Sequence, residues 1–596
     1  MTLWLAVAAP FAGAVLIVVA GGAIGRRAVA AVGAGAVVVS FGAAVALAQA
    51  FAAGRTSLVA DLGPWLPLRG SALALRLDSS TVPLVLVTTA VAALLALHSM
   101  GSLSGKEGTT RHFAAFDLVV AATLLVILAR DLLLVVAGCE IAAASTYLLI
   151  THRVARPSDA AAGLRMFIAA RVADAALLLG AFGLLGLFGT ADLDEIGSRL
   201  SAIRLTPAAD STLFVATTLL VIAALARSAQ LPFHGWLPAT LAAPAPAAAL
   251  LHSVSGIAVG VVLLVRLAPL LQPGALLLAA VIGGVTALLG AIVALAENDR
   301  GRAMAWSTAG HAGLMFAAVG AGAPGVALFH LLAHALAKAT LLLAPDVAER
   351  VADAETAGDR REVRRRISPI AIGFASGVLG IGLLPPAATF FSALALAAAF
   401  ADRPLLLAVL LVAAFLFGLQ AARLFVSTFG ESATGARLSR ARETSLLSLI
   451  PLVLLGVGTL VFGALVAAGT ISLGTPIPPP ISVGGQIAVA AASLAGAALG
   501  LWSRARAPRG FVPTLLSLVT AGTARADTLV ARSFEALARL LAVEGEGIVR
   551  KSVDALGWVV QRVALLAGRV ESGGVRTHQA VLWAAIVTLV AYWTLR

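Results

Sequence analysis

Three titratable residues recur at four-residue spacing in the apolar segment LFHLLAHALAKATLLL. His330, His334 and Lys338 stand at positions i, i+4 and i+8, so a helix would stack them along one stripe. Histidine titrates near neutral pH, and a buried lysine can lose its proton. The spacing therefore predicts a proton relay, with histidines that only satisfy core hydrogen bonds as the alternative. Two histidines could also hold a metal ion, but no acidic or cysteine ligand stands beside them, so we expect no metal and no cofactor.

Four further ionisable residues interrupt apolar segments, where such groups are costly and usually functional. Glu140 lies within LLLVVAGCEIAAASTYLLI and is a candidate proton-site carboxylate, or a glutamate that only bonds a neighbouring helix. Arg171 and Asp174 are three residues apart on one helix face, as either a structural ion pair or a part of the relay. His311, in STAGHAGLMF, either extends the relay or bonds a helix neighbour.

Prolines follow Arg227 in the segment ARSAQLPFHGWLPATLAAPAPAAALLHS, which ends next to His252. Pro232 and Pro238 free backbone groups that lipid cannot satisfy, so such a break survives only inside protein or beside a watery cavity. Transporters place ion sites at breaks of this kind. We therefore expect a broken helix and an ion site here, with a loop between two ordinary spans as the alternative.

The composition is that of a polytopic membrane protein. Of the 596 residues, 60% are hydrophobic and 12% are charged, whereas soluble domains are about a quarter charged. The net charge of +13 is dispersed among loops, so it indicates topology and not nucleic-acid binding. The single cysteine, Cys139, excludes an internal disulfide and a cysteine-held cluster.

About 20 apolar residues span a bilayer, and the sequence predicts an all-α fold with about sixteen spans. They lie near 3–21, 30–53, 82–100, 113–129, 132–150, 162–188, 211–231, 245–268, 275–297, 303–322, 325–345, 369–399, 404–428, 445–468, 482–502 and 579–595. Residues 54–80 alternate like a short hairpin. The segment 511–578 has apolar residues at helical spacing with charges between them, which predicts an amphipathic helix lying along the membrane.

Arginines mark alternate loops between the predicted spans. They follow spans one, five, nine, eleven and thirteen, as Arg26, Arg27, Arg153, Arg156, Arg300, Arg302, Arg360, Arg361, Arg364, Arg365, Arg366, Arg437, Arg440 and Arg442. Because basic loops face the cytoplasm, we expect both termini outside, in a multi-pass protein of the bacterial inner membrane.

The proline-rich segment resembles the signature of the proton-translocating, antiporter-like membrane subunits of respiratory complex I. The matching residues are Ser228, Ala229, Gln230, Pro232, Trp236, Leu237, Pro238, Pro244, Pro246, Ala249, Leu250 and His252. Glu140, the Arg171–Asp174 pair and the stripe of His330, His334 and Lys338 also resemble patterns of that family. The resemblance implies two inverted five-helix units with broken helices. It further implies a direct contact between Glu140 and the residue at position 227.

Several positions depart from the family pattern, among them Leu383 in place of a glycine. Arg227 replaces a lysine, Ala393 replaces a second lysine, and Leu394 replaces an aspartate. A guanidinium stays protonated at any accessible pH, so the family's pumping cycle cannot simply be transferred. Lys338 is then the expected titrating base.

The amphipathic segment followed by a final span resembles the arm of subunit L in complex I. The resemblance implies a non-redox subunit that couples redox chemistry elsewhere to movement of protons, or of sodium, and contacts other membrane subunits through that arm. Alternatives are a subunit of an energy-converting hydrogenase, of a Mrp-type cation/proton antiporter or of an inorganic-carbon uptake complex, or a non-conducting scaffold. We expect N-terminal spans over 1–110, a translocation core over 111–430, further spans over 431–510, the lateral helix over 511–578 and a terminal anchor over 579–596.

Overall fold

The computed structural model describes residues 2–502, apart from 154–155, 203–204, 298, 354–367 and 430–445. These ranges are almost entirely helical. The helices are α1 Thr2–Ile24, α2 Arg26–Ala52, α3 Thr81–Leu103, α4 Thr109–Leu128, α5 Leu132–Ile150, α6 Pro157–Phe188, α7 Leu193–Ala202, α8 Pro207–Arg227, α9 Ala245–Ser253, α10 Gly256–Leu267, α11 Pro273–Ala296, α12 Arg300–Gly320, α13 Pro324–Asp353, α14 Ser368–Ile381, α15 Ala388–Ala399, α16 Pro404–Phe429, α17 Leu446–Ala467 and α18 Val483–Trp502. Short 3-10 turns lie at His234–Trp236, Pro238–Ala242 and Ala268–Leu270.

The helices follow the predicted spans closely. Among the described residues, 13 segments are long and apolar enough to cross a membrane. Two more predicted spans correspond to α12, which begins with arginines, and to the shorter pair α14 and α15. The count of sixteen stays a prediction, because the span at 579–595 and the amphipathic segment 511–578 lie outside the described residues.

The predicted hairpin is present between α2 and α3. Strands β1, Ser57–Pro64, and β2, Ala72–Asp78, pair antiparallel. At the end of β2, Asp78 Oδ1 accepts the backbone N–H groups of Ser80 and Thr81 at 3.0 and 3.1 Å, which starts α3. Burial alone would raise the pKa of Asp78, but hydrogen bonds from the Ser80 hydroxyl and from the backbone and hydroxyl of Thr81, together with the charge of Arg76, outweigh it and lower the pKa.

The chain breaks inside the protein after α8, as the prolines predict. Two residues beyond α8, Ala229 has a φ of +51°, and the N–H of Gln230 donates to Leu225 O at 2.9 Å. This is a helix C-terminus of the Schellman type, built here without glycine. Ala229 and Gln230 are fully buried. Pro232 and Pro238 therefore lie in a connection that begins within packed protein, and not in a surface loop.

The same backbone motif recurs after α14. Leu383 has a φ of +53°, and the N–H of Leu384 donates to Leu379 O at 3.0 Å. The motifs lie in predicted spans seven and twelve, with four spans between them, so they run in opposite directions across the membrane. This repetition supports the predicted pair of inverted units. Leu383 stands where the family resemblance places a glycine, and its positive φ explains that preference.

A second break, which the sequence analysis did not predict, separates α9 from α10. It lies at Val254 and Ser255, where no proline occurs. Gly256 allows it, because a Cβ there would lie 2.4 Å from Leu251 O. Ser255 Oγ lies 3.0 Å from Thr123 Oγ1 on α4. Serine–glycine pairs are a known cause of helix kinks.

Helices α11 and α12 approach each other along glycines. A Cβ on Gly283 would lie 2.6 Å from Gly313 O, and one on Gly290 would lie 2.8 Å from Gly310 Cα. The next residue, Gly284, is different, because a Cβ added there would lie 3.7 Å from the nearest atom, an ordinary contact. Close contact between the two backbones fixes the position of α12, which carries His311.

The described arginine-bearing loops after α5 and α11 meet at one end of the bundle. Arg153 donates to Ala242 O at 3.2 Å, and a Cβ on Gly301 would lie 3.0 Å from the side chain of the adjacent Leu241. We call this end the arginine-rich face. Its composition agrees with the predicted cytoplasmic side.

Candidate functional site

Glu140, Arg171, Asp174 and Arg227 form a row of alternating charges across α5, α6 and α8. Arg171 Nη1 lies 2.6 Å from Glu140 Oε2, and its Nη2 lies 2.7 Å from Asp174 Oδ2. Arg227 Nη2 contacts the other carboxylate oxygen of Asp174. The row is neutral overall, and both arginines hold Asp174.

The predicted direct pair between Glu140 and Arg227 was wrong, since Arg171 and Asp174 of α6 stand between them. The predicted spacing of those two residues on one helix face is confirmed. The side chains of Asp174 and Arg227 are each 7% exposed, whereas those of Glu140 and Arg171 are 39% and 41% exposed. The row therefore runs from the interior of the bundle to its surface.

A cavity of about 40 Å³ lies beside Arg227 at the inner end of this row. Its walls include Met166, Trp236 and Ser255. Because one water needs about 10–15 Å³ of such space, the cavity has room for a few water molecules. Arg227 is the only member of the row that lines this cavity, so water held there would contact its guanidinium.

His252, near the end of α9, lies between two threonines. Its Nε2 is 2.8 Å from Thr240 Oγ1 and its Nδ1 is 3.1 Å from Thr308 Oγ1. Each hydroxyl also donates to a main-chain carbonyl, Leu237 O at 2.6 Å and Met304 O at 3.0 Å. A neutral imidazole has one donor and one acceptor. One threonine must therefore turn its hydroxyl toward the ring unless His252 is protonated on both nitrogens.

Lys338 is fully buried at the middle of α13. Its Nζ donates to Met304 O at 2.8 Å and to Ser307 Oγ at 3.3 Å, both on α12. No carboxylate forms an ion pair with it in the part of the chain that the structure describes. The prediction that this stripe faces the protein interior is confirmed, because His330 and His334 are also fully buried.

His311 and His330 join α12 to α13 and to the break before α15. His311 Nε2 lies 3.1 Å from Ile381 O, and its Nδ1 lies 3.1 Å from His330 Nε2. His330 Nδ1 lies 2.8 Å from Ser392 Oγ, which also reaches Thr389 O at 3.0 Å.

These contacts determine the tautomers of the two histidines. A carbonyl only accepts, so His311 carries its proton on Nε2 and accepts on Nδ1. His330 must then donate from Nε2 and accept from the Ser392 hydroxyl. If His330 gains a proton on Nδ1, the hydroxyl of Ser392 turns to Thr389 O and every group stays bonded. The arrangement can therefore take up a proton on His330 by rotation of one hydroxyl.

His334 lies between these groups without a direct hydrogen bond. Neither ring nitrogen has a partner among the described residues, and its ring is 5.0 Å from that of His311. It interacts electrostatically with Lys338 and His252 as well. Buried polar atoms are nearly always hydrogen-bonded, so we expect ordered water beside His334. Such water would connect His252 and Lys338 to the His311–His330 pair.

Position 393, where the resemblance places a lysine, holds a fully buried alanine. Its neighbour Ser392 is the residue that reaches His330. The sequence analysis missed Ser392 and the threonines at 240 and 308 as partners of the histidines. Hydroxyl residues in membrane-buried segments were the available signal, but spacing does not reveal which of them face a ring.

Comparisons with known proteins agree with this architecture. The sequence family described as "NADH:quinone oxidoreductase/Mrp antiporter, TM" matches residues 129–418. Subunit L of NADH-quinone oxidoreductase from Mycobacterium tuberculosis is 30% identical over 99% of this chain and 98% of that protein. Chloroplastic subunit 5 of NAD(P)H-quinone oxidoreductase from Chaetosphaeridium globosum is 33% identical over 68% of this chain. That match spans 63% of the relative's own length.

Two solved structures share the fold. The Mrp complex from Dietzia sp. DQ12-45-1b contains a chain that matches all of this one, with a TM-score of 0.66, 24% identity and 63% of its own length covered. A chain of the membrane-bound sulfane sulfur reductase, an archaeal respiratory membrane complex, matches 83% of this chain and 99% of its own, with a TM-score of 0.68 and 19% identity. Since subunit L aligns over nearly its whole length, the chain belongs to the antiporter-like membrane subunits of the NADH:quinone oxidoreductase/Mrp antiporter family.

Proposed function

We propose that this chain translocates protons as one subunit of a larger respiratory membrane complex, since its relative is named as subunit L of an NADH-quinone oxidoreductase. The observation that carries the proposal is the environment of Lys338. Its Nζ is fully buried and bonded only to Met304 O and Ser307 Oγ in the described chain. Because no counter-ion locks its charge, Lys338 can gain and release a proton during transport.

The proton route that we propose runs along α13. On one side, Lys338 and Thr308 share Met304 O as an acceptor, and Thr308 contacts His252. A carbonyl only accepts, so this contact couples Lys338 to His252, and water would carry the proton between them. On the other side, water beside His334 leads to His311 and His330, and from there to Ser392. Ser392 would take over the role for which the family resemblance assigns a lysine at position 393.

The charge row has a different role in this proposal. Arg227 keeps its charge at any accessible pH, so this residue acts on the route through its electric field and not by exchanging protons. Its outer pair, Glu140 and Arg171, is half-exposed in the middle of α5 and α6. Charged groups at that depth are costly against lipid, which supports a neighbouring subunit covering this side of the bundle.

The remaining assignments extend the proposal to the whole chain. The translocation core covers 111–430, between N-terminal spans at 1–110 and further spans at 431–510. The segment 511–578 contacts neighbouring subunits along the membrane, and 579–596 anchors it. The protein resides in a bacterial inner membrane with both termini outside, because the arginine-rich face then lies in the cytoplasm.

Proton flux in proteoliposomes tests the function. The full-length chain is reconstituted with a pH-sensitive dye inside, and a potassium gradient with valinomycin drives protons. We expect Lys338→Ala to abolish the flux and Arg227→Lys to preserve or raise it, since lysine can both pair with Asp174 and titrate. The matched control is Ser40→Ala, which removes a buried hydrogen bond to Ala6 O, 2.6 Å long, outside the route. Unchanged flux in Lys338→Ala would refute the assignment.

A non-conducting scaffold is the second candidate, favoured by Arg227 and Ala393 at the two positions where the resemblance places lysines. A wild-type chain that assembles with its complex but conducts no protons would support it. A sodium-sensitive dye in the same vesicles separates proton transport from Mrp-type cation/proton exchange, the alternative that the sequence analysis left open.

A further inference from the structure

A second cluster of titratable residues lies near the arginine-rich face, away from the route through His252 and His334. It comprises His98 on α3, His112 on α4, His152 after α5 and Asp346 near the end of α13. The sequence analysis assigned none of them a role. Arg111 on α4 donates to Thr151 Oγ1 at 2.6 Å, which ties the loop that carries His152 to α4.

His98 is the centre of the cluster and is fully buried. Its Nε2 lies 2.9 Å from Asp346 Oδ2, and its Nδ1 lies 3.3 Å from Ser448 O. Both partners accept hydrogen bonds, whereas a neutral imidazole has one N–H to give. Both ring nitrogens of His98 can be hydrogen-bonded at once only when His98 and Asp346 together hold one proton more than a neutral imidazole beside an ionised carboxylate. The geometry is thus that of a proton-binding site.

His112 lies between His98 and the outermost member of the cluster, His152. Its Nε2 lies 3.1 Å from Ser99 Oγ, next to His98 on α3, and the Ser99 hydroxyl donates to Leu95 O at 2.9 Å. His112 therefore donates from Nε2. Its buried Nδ1 has no partner among the described residues and can accept a proton.

His152 is the outermost member, and its ring centre is 6.0 Å from that of His112. Gly108 fixes its position, because a Cβ there would lie 2.6 Å from the Cε1 of His152. Burial lowers the pKa of His152, and Arg111 and Arg153 lower it further, against a weaker opposite effect of Asp159. The ring is therefore mainly neutral at pH 7. Its Nδ1 has no hydrogen-bond partner among the described residues and is the atom that can accept a proton.

Resting on the proposed proton transport, we propose that His152, His112, His98 and Asp346 form a proton-loading site that supplies Lys338 from the arginine-rich face. Protons pass from His152 to His112 and are held between His98 and Asp346. Asp346 is eight residues from Lys338 on α13, which is about 12 Å along a helix. Water bridges that distance and the step from Ser99 to His98.

The test uses the full-length chain and two readouts. Nitrogen-15 NMR of histidine-labelled protein in lipid, assigned with His98→Gln, should show both ring nitrogens of His98 protonated at pH 7, and this signal should disappear in Asp346→Asn. In proteoliposomes, Asp346→Asn and His98→Gln should lower proton flux at least tenfold. Asp346→Glu, which keeps a titratable carboxyl, should retain more than half of it, and Ser40→Ala should match wild type.

The outcomes separate the loading site from the proposed function. If Lys338→Ala stops the flux while Asp346→Asn conducts like wild type, the loading site is wrong and proton transport stands. A neutral His98 beside an ionised Asp346 in the wild-type chain at pH 7 also overturns the loading site. If Lys338→Ala leaves the flux unchanged, the proposed function fails, and the loading site fails with it as a supply for Lys338.

Discussion

Lys338 Nζ and Thr308 Oγ1 share one acceptor, the main-chain carbonyl of Met304, at 2.8 and 3.0 Å. A protonated lysine makes the stronger, charge-assisted bond. Thr308 is then free to turn toward His252 Nδ1 and stabilise the neutral ring. When Lys338 loses its proton, Thr308 returns to the carbonyl and accepts from a protonated His252. In the proposed route, this coupling lets the two basic groups carry the proton alternately.

This coupling predicts the effect of replacing Thr308. Thr308→Val keeps the shape of the side chain but removes the hydroxyl, so His252 loses its response to Lys338. We expect proton flux in proteoliposomes to fall about tenfold, which corresponds to about 1.4 kcal/mol of barrier. Thr308→Ser keeps the hydroxyl and should conduct like wild type. Wild-type flux in Thr308→Val would show that the shared carbonyl does not couple the two groups.

The contacts of Ser392 predict the tautomers of His311 and His330. Both rings should carry their proton on Nε2 at neutral pH, which nitrogen-15 NMR of histidine-labelled protein in lipid measures directly. Ser392→Ala removes the donor to His330 Nδ1 and leaves a buried nitrogen unpaired, at a cost of about 1–3 kcal/mol. The thermal midpoint should fall, and Ser392→Thr should restore it. An Nδ1–H tautomer at His311 would contradict this network.

The charge row predicts that Asp174 matters more for stability than Glu140. Asp174 pairs with two arginines and is buried, whereas Glu140 pairs with one and is half-exposed. Removing one partner of a buried pair costs about 3–5 kcal/mol, so Asp174→Asn should lower the thermal midpoint in detergent clearly more than Glu140→Gln. Adding Arg227→Gln to Asp174→Asn should recover part of the loss, because it removes an unpaired charge. Equal effects of the two single substitutions would argue against the row.

The contact between α11 and α12 predicts a contrast between adjacent glycines. Gly283→Ala places a methyl group 2.6 Å from Gly313 O, so the helices must separate. We expect a loss of about 1–3 kcal/mol in stability, the usual cost of overpacking. Gly284→Ala meets its nearest neighbour at 3.7 Å and should be close to neutral. Thermal unfolding of both variants in detergent measures the difference, and equal midpoints would contradict the close packing.

The helices, the hairpin and the buried face of α13 could be predicted from the sequence because each depends on local information. Apolar length sets the spans, alternation sets the strands, and a four-residue spacing puts His330 and Lys338 on one side of a helix. The contacts of the site depend on how neighbouring helices are rotated. Residue spacing within α5 and α8 carries no information about Arg171 of α6, so the ion pair expected for Glu140 was assigned to the wrong arginine.

The unpredicted break before Gly256 has a related explanation. Proline marks a break by its own chemistry, whereas the Ser255–Gly256 kink depends on a neighbour, Thr123 of α4, that receives the serine hydroxyl. The hydroxyl residues that contact the histidines could not be predicted for the same reason. They are common residue types whose role is set only when helices distant in sequence come together.

The repeated motif after α8 and α14 has a consequence for how such a protein can evolve. The two turns hold the same backbone shape although Ala229 and Leu383 differ, and the helices before them end in Arg227 in one half and Ile381 in the other. The backbone shape of the turn and the charge at the end of the helix before it are therefore independent of each other. A duplicated ancestor could lose or exchange ionisable groups at these two ends while the scaffold persisted. The two halves can thus specialise, one keeping a permanent charge and the other an exchangeable proton.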